Sequence, residues 1–342
     1  MSQLDLFGAP DAPRAEPSTD TLAAVYAEAA DLAARIDPLI RFGTSSWSFP
    51  GWRGLVYSRA LSETALSREG LREYARHPLL RTVGIDRSFY APIPDEDLQR
   101  YASQLPDGFL ACAKAGASVT SAVRLTGRSQ EPEANPNFLS PAVFVDEILA
   151  PFSTHFRRFA GPFVLEFPPL PRGVTLTAGE FLGGLDHLLG ALPRDFQYAV
   201  ELREREWLTP DYAQVLRTHG ASHVFNYWSR MPLPAAQADI VAPETQPVNV
   251  MRLLLPPGTR YEQQREAFRP FDSIQAPDLV MRSQVAGLAR RSASAGRDAF
   301  ILVNNKAEGS SPLTVMELAR LLAAHTSWSR QSQFVHRAIV SS

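Results

Sequence analysis

From Leu39 onward the chain alternates between two hydrophobic patterns. Short apolar runs fall at 39–43, 81–86, 108–113, 161–167, 196–201, 221–226, 247–253 and 299–304. Between most of them lie stretches with helical spacing, at 64–76, 94–103, 140–158, 178–190, 209–218, 277–293 and 312–324. A short, nearly continuous apolar run reads as a strand buried on both faces, and the 3.6-residue periodicity between two runs reads as a crossover helix. Eight such units in succession predict a single α/β domain, a closed TIM-barrel-like (β/α)8 fold rather than an open sheet. No repeat of fixed period and no second domain boundary interrupts it.

The pattern also sets the boundaries. Residues 1–18 are rich in Pro, Ala and acid and are expected to be a disordered tail. Thr19 and Asp20 offer caps for an Ala-rich helix, so 19–38 is expected as an N-terminal helix, 39–326 as the barrel and 327–342 as a C-terminal tail. Two stretches break the rhythm. The link 229–246 is rich in Pro and Ala and predicts at most a weak helix, and 115–139 is a long polar excursion expected over the barrel mouth.

In a barrel, side chains at the carboxyl ends of the strands face one another. Those positions collect Trp47, Asp86, Tyr90, Lys114, Glu166, Glu201, Arg203, Asn226, Arg252, Asn304, Asn305 and Lys306. Glu201, with Glu166 or Asp86 as partner, has the chemistry of an acid/base pair beside cations. Lys114, Arg203 and Arg252 suit a phosphate or carboxylate. Asn226, Asn304 and Asn305 suit hydroxyls, and Trp47 and Tyr90 suit a ring. The bland reading of the same residues is a structural charge network, because buried charges need partners.

Composition narrows the chemistry. A net charge of -2 and a pI near 6.4 supply no global basic field for nucleic acid. One cysteine, Cys112, excludes an internal disulfide and any multi-cysteine metal site. The seven histidines fall away from the strand ends and lack metal-ligand spacing, so no metal is expected. No dinucleotide or Walker glycine pattern occurs, and no cofactor is expected. With no signal peptide and no long apolar run, the expected location is cytoplasmic, off the membrane.

Several strand-end segments together resemble the YecE-like family, also called domain of unknown function seventy-two, over about residues 40 to 325. They are GTSSWSFPGWRGLVYS, SFY at 88–90, DGFLACAK ending at Lys114, GPFVLEFPP at 161–169, VELREREW at 200–207 and VNNKAEG at 303–309. The resemblance implies a TIM-barrel-like fold and no established reaction. It implies matching roles for Trp47, Tyr90, Lys114, Glu201, Arg203, Trp207, Arg252, Asn304 and Asn305. The chain departs from the family pattern where that pattern leads one to expect Glu at Gly84, Gln at Glu166, His at Ser121 and His at Lys306. The strand-seven Arg-x-His-Gly of the family reads Arg252-Leu253-Leu254 here.

The expected function is a metal-independent enzyme of hydrolase or lyase type. It would act on a small polar or anionic ligand, such as a sugar, a phosphate ester or a nucleotide. The alternative is a non-catalytic module that binds nucleic acid or a protein partner with the same mouth.

Overall fold

The computed structural model describes residues 19–126 and 131–324. The tail at 1–18, the end of the chain from 325 and the tip of the polar excursion at 127–130 lie outside the described residues. The N-terminal helix runs Thr19–Arg35. Its Tyr26 hydroxyl donates to the Val56 carbonyl, and its Glu28 pairs with Arg320 on the helix at 311–324.

Eight parallel strands form the wall: β1 (Ile40–Thr44), β2 (Thr82–Ile85), β3 (Leu110–Ala113), β6 (Phe163–Phe167), β7 (Tyr198–Leu202), β8 (Ser222–Tyr227), β9 (Asn249–Leu253) and β10 (Ala299–Val303). Each lies within about two residues of its expected place. β4 (Val123–Thr126) and β5 (Glu131–Ala134) form a separate antiparallel hairpin. Six wall strands pair in the order β1-β10-β9-β8-β7-β6, and β2 pairs with β3. Isolated parallel bridges close the ring, Phe42 with Leu80 on one side and Ala111 with Ala160 and Lys114 with Val164 on the other.

Successive side chains of a strand point to opposite faces. Taking every second residue therefore gives the barrel interior. Cys112, Val164, Ala199, Val224, Val250, Phe300 and Leu302 form one buried apolar cluster. Two residues further along the same strands come Lys114, Glu166, Glu201, Asn226 and Arg252. The interior is thus an apolar layer with a charged layer stacked on it, toward the carboxyl ends.

Two glycines let β1 and β2 approach. A Cβ on Gly43 would lie 2.1 Å from the Thr82 carbonyl oxygen, and one on Gly84 would lie 3.0 Å from that of Ser45. A side chain at Gly84 therefore has little room, and the carboxylate on this strand comes two residues later, at Asp86.

Helices start where the sequence offers caps. Ser62, Thr209 and Asp278 each accept a bond from the backbone of the first turn, and Thr177 with Glu180 forms a capping box. The irregular link holds the short helix Pro234–Ala238. The polar excursion holds the hairpin, and Asn135 ties it down, its Nδ2 donating at 2.8 Å to the carbonyls of Ser118 and Ser121.

Candidate functional site at the barrel mouth

Strand register brings the charged layer together. Glu166 on β6 is the direct neighbour of Glu201 on β7, and Asn226 on β8 is the neighbour of Arg252 on β9. Two glutamates side by side repel, so cations must lie between them. Arg252 does this with one fork. Its Nη1 donates to Glu166 at 3.0 Å and to Glu201, and its Nη2 donates to Asp86 at 2.7 Å. Arg203 Nη2 reaches Glu166 at 2.9 Å and Glu201 at 2.6 Å. Lys114 Nζ reaches Glu166 at 2.8 Å. Asn226 Nδ2 donates to the Leu202 carbonyl at 2.7 Å and lies 3.5 Å from Glu201.

The cluster is balanced, with three carboxylates (Asp86, Glu166, Glu201) against three cations (Lys114, Arg203, Arg252). Burial by itself would raise the Glu166 carboxyl, but Arg203, Lys114 and Arg252 outweigh it and hold the group well below the usual carboxylate range. Burial would likewise lower Arg252, yet Asp86, Glu201 and Glu166 drive it further up. Glu201 is 0% exposed with an arginine on each oxygen, whereas the Asp86 side chain keeps 31% of its surface.

Aromatic rings finish the walls. The Lys114 ammonium lies 3.8 Å from the Phe89 ring centre, and the Arg203 guanidinium lies 4.0 Å from that of Trp228. Several donors here have no acceptor among the described residues: Arg203 Nε and Nη1, Arg252 Nε and Trp228 Nε1. Tyr90 stands at the rim, 83% exposed, with burial of its remainder and the nearby Tyr261, Asp86 and Glu166 raising its phenol.

Other expected residues go elsewhere. The indole N–H of Trp47 donates to the Leu66 carbonyl, and its ring meets Tyr101 edge-on at 5.0 Å, in the helical layer. Trp207 stacks on Phe181 at 4.0 Å in the core. Asn304 Oδ1 accepts from the Lys306 amide and shapes the turn after β10. Asn305 Oδ1 accepts from the Trp52 indole and the Ser311 amide, while its Nδ2 has no partner among the described residues. Asn305 and Lys306 line a second part of the mouth with Phe49, Tyr261, Arg269 and Phe271. Trp228 stands one residue past β8, a position that counting strand ends reaches, whereas Tyr261 and Arg269 arrive from the segment after β9 rather than from a strand end.

Among the described residues, no group of three or more His, Cys, Asp and Glu side chains is disposed to hold a metal ion. Nor is any of their helices long and apolar enough to cross a membrane.

A family model described as "Protein of unknown function DUF72" matches residues 41–336. The chain belongs to the DUF72 family. Solved DUF72 structures share the fold of this DUF72 chain. One from Thermotoga maritima MSB8 is 18% identical with a TM-score of 0.57, covering 83% of this chain and 98% of that one. Another, from Enterococcus faecalis V583, is 17% identical with a TM-score of 0.56, covering 83% of this chain and 95% of that one. No curated protein matches. Family membership carries the barrel and its mouth, and no reaction comes with it.

Proposed function

We propose that this DUF72 chain binds a small anionic ligand at the barrel mouth and acts on it as a metal-independent enzyme of hydrolase or lyase type. The supporting observation is the group of buried donors without acceptors, Arg203 Nε and Nη1 with Trp228 Nε1, packed together at 4.0 Å. A buried donor left unmatched costs about 1–3 kcal/mol, and an oxyanion is the group that satisfies several at once. Asp86, the carboxylate with most solvent access, is the candidate for proton transfer, with Glu166 beside it. Glu201 holds Arg203 and Arg252 in position from below.

A thermal-shift screen against inorganic phosphate, sugar phosphates, nucleotides and small carboxylates tests this reading. A ligand at about a hundred times its Kd adds about 2.7 kcal/mol of stability. Arg203→Ala, read against its own ligand-free midpoint, is expected to lose that response, and Arg203→Lys to keep part of it. A response of full size in Arg203→Ala sinks the assignment.

The exposed ring of Tyr90 favours one second reading, a non-catalytic module for nucleic acid or a protein partner. Nucleic-acid binding would weaken steeply with salt and would fall on Tyr90→Ala.

A further inference from the structure

The whole chain contains two lysines, Lys114 and Lys306, among 34 basic residues, so arginine supplies the other 32. Arginine stays charged throughout the working pH range, whereas an ammonium can lose its proton and become a nucleophile. Both lysines stand at the mouth, one residue past β3 and three past β10.

Their settings differ. Lys114 is ion-paired with Glu166. Lys306 has no carboxylate within ion-pair distance among the described residues. Its Nζ lies 4.1 Å from the Tyr261 ring centre and the residue is 8% exposed. Burial pushes its ammonium down to about 8. At neutral pH about a tenth of such an amine is neutral, some 300-fold more than for an ordinary lysine.

Lys306 lines a cavity of about 460 Å³ with the apolar rings of Phe49 and Phe271 and with Arg269 and Arg265. Arg265 already pairs with Glu262 and Glu266, at 3.0 and 3.3 Å, whereas Arg269 is exposed and has no ion pair among the described residues. The Nδ2 of Asn305, a residue 2% exposed that lines the same cavity, has no acceptor among the described residues. The cavity therefore offers a neutralisable amine, a free guanidinium, an amide donor and apolar walls.

We propose that Lys306 forms an imine with the carbonyl group of a small substrate whose carboxylate or phosphate is held by Arg269. The inference rests on reading the mouth as an anion site, and it selects lyase-type over hydrolase-type chemistry. The lone pair of the neutral Nζ adds to the carbonyl carbon and forms a C–N bond. The carbonyl oxygen takes up two protons, one from the amine and one from solvent, and leaves as water. A protonated C=N bond remains, which draws electrons from the bond next to it.

Trapping tests this directly on the full chain. The protein is incubated with pyruvate or with dihydroxyacetone phosphate, each with sodium cyanoborohydride, and the adduct is located by peptide mass mapping. Only two lysines and one α-amino group compete for the label. The expected result is one saturable adduct at Lys306, with a rate that rises through about pH 8. Lys306→Arg keeps the charge and loses the adduct, while circular dichroism shows the fold retained. Arg269→Ala raises the half-saturating concentration at least tenfold with little change in the final extent. Protection by inorganic phosphate assigns the anion as phosphate, and preference for pyruvate assigns it as carboxylate. Labelling that is linear in concentration, equal at Lys114, or absent from Lys306 with both probes overturns the proposal. A thermal-shift response lost in Arg203→Ala without any Lys306 adduct leaves the anion site standing and removes imine chemistry alone.

Discussion

Replacing Arg252 by Met is the sharpest probe of the charged layer. The side chain is 2% exposed and serves three carboxylates, so its loss leaves Asp86, Glu166 and Glu201 facing only Arg203 and Lys114. Three negative charges against two is an uncompensated charge in a site where Glu201 is 0% exposed. Removing one partner of a buried pair costs about 3–5 kcal/mol, and Met fills most of the volume, so a cavity adds little. Urea unfolding followed by tryptophan fluorescence at pH 7 measures the loss. The double variant Arg252→Met/Glu201→Met restores balance, with Asp86 and Glu166 against Arg203 and Lys114. It is expected to lose less than the sum of the two single variants, by about 0.5–3 kcal/mol of coupling. Acid should narrow the gap between wild type and the single variant. In wild type the folded Glu166 pKa lies below its unfolded value, so its stabilisation is present above about 4.5 and is lost as pH falls below that. In the variant one of the three cations that depress it is gone, so less is lost. A single-variant cost below about 1 kcal/mol, or strictly additive costs, would refute the view that the cluster is a coupled unit.

Gly43→Ala should unfold the barrel or cost several kcal/mol, because its Cβ would lie 2.1 Å from the Thr82 carbonyl oxygen across the β1–β2 approach. A variant with a wild-type urea midpoint shows instead that the two strands can separate freely. His77 and His223 are both pushed down to about 4 by burial, His223 despite its bond to Gln237. Their folded pKa lies below the unfolded value, so the unfolded chain binds more protons, and stability falls as pH drops from about 6.5 toward 4. Each contributes up to about 1.4 kcal/mol per pH unit in that window. His77→Asn should remove about half of the slope between pH 6.5 and 5, and an unchanged slope would mean that His77 is not buried neutral.

The strands were readable as short apolar runs separated by helical stretches, and the charged layer was readable because successive side chains of a strand alternate between its faces. Val164 precedes Glu166, Ala199 precedes Glu201 and Val250 precedes Arg252, so one alternation defines both the apolar layer and the polar one above it. Legibility ended where the strands ended. Trp47 lies three residues past β1, and the chain turns there before the side chain is placed, so the ring goes to Leu66 and Tyr101. Sequence also could not show that Glu201 is enclosed, with both oxygens engaged, while Asp86 keeps access to water. That difference comes from two arginines, Arg252 delivered by β9 and Arg203 from just past β7 itself, which close on both Glu201 oxygens. The hairpin of β4 and β5 was hidden inside a polar segment whose alternation is too short to stand out.

The ring closes by two unequal arcs, six strands in one and β2 with β3 in the other, joined only by isolated bridges. Two ion pairs of the mouth also link the arcs: Lys114, just past β3, to Glu166 on β6 lies at one join, and Asp86, just past β2, to Arg252 on β9 reaches across the mouth. Backbone pairing is sparsest between these arcs, and side-chain charge acts there as a latch. A ligand that displaced Arg252 or Lys114 from its carboxylate would loosen this clasp locally, even while its binding stabilised the fold as a whole. Occupancy of the mouth and the tightness of the barrel are then one equilibrium, readable as faster amide exchange along β2 and β3 when the mouth is filled.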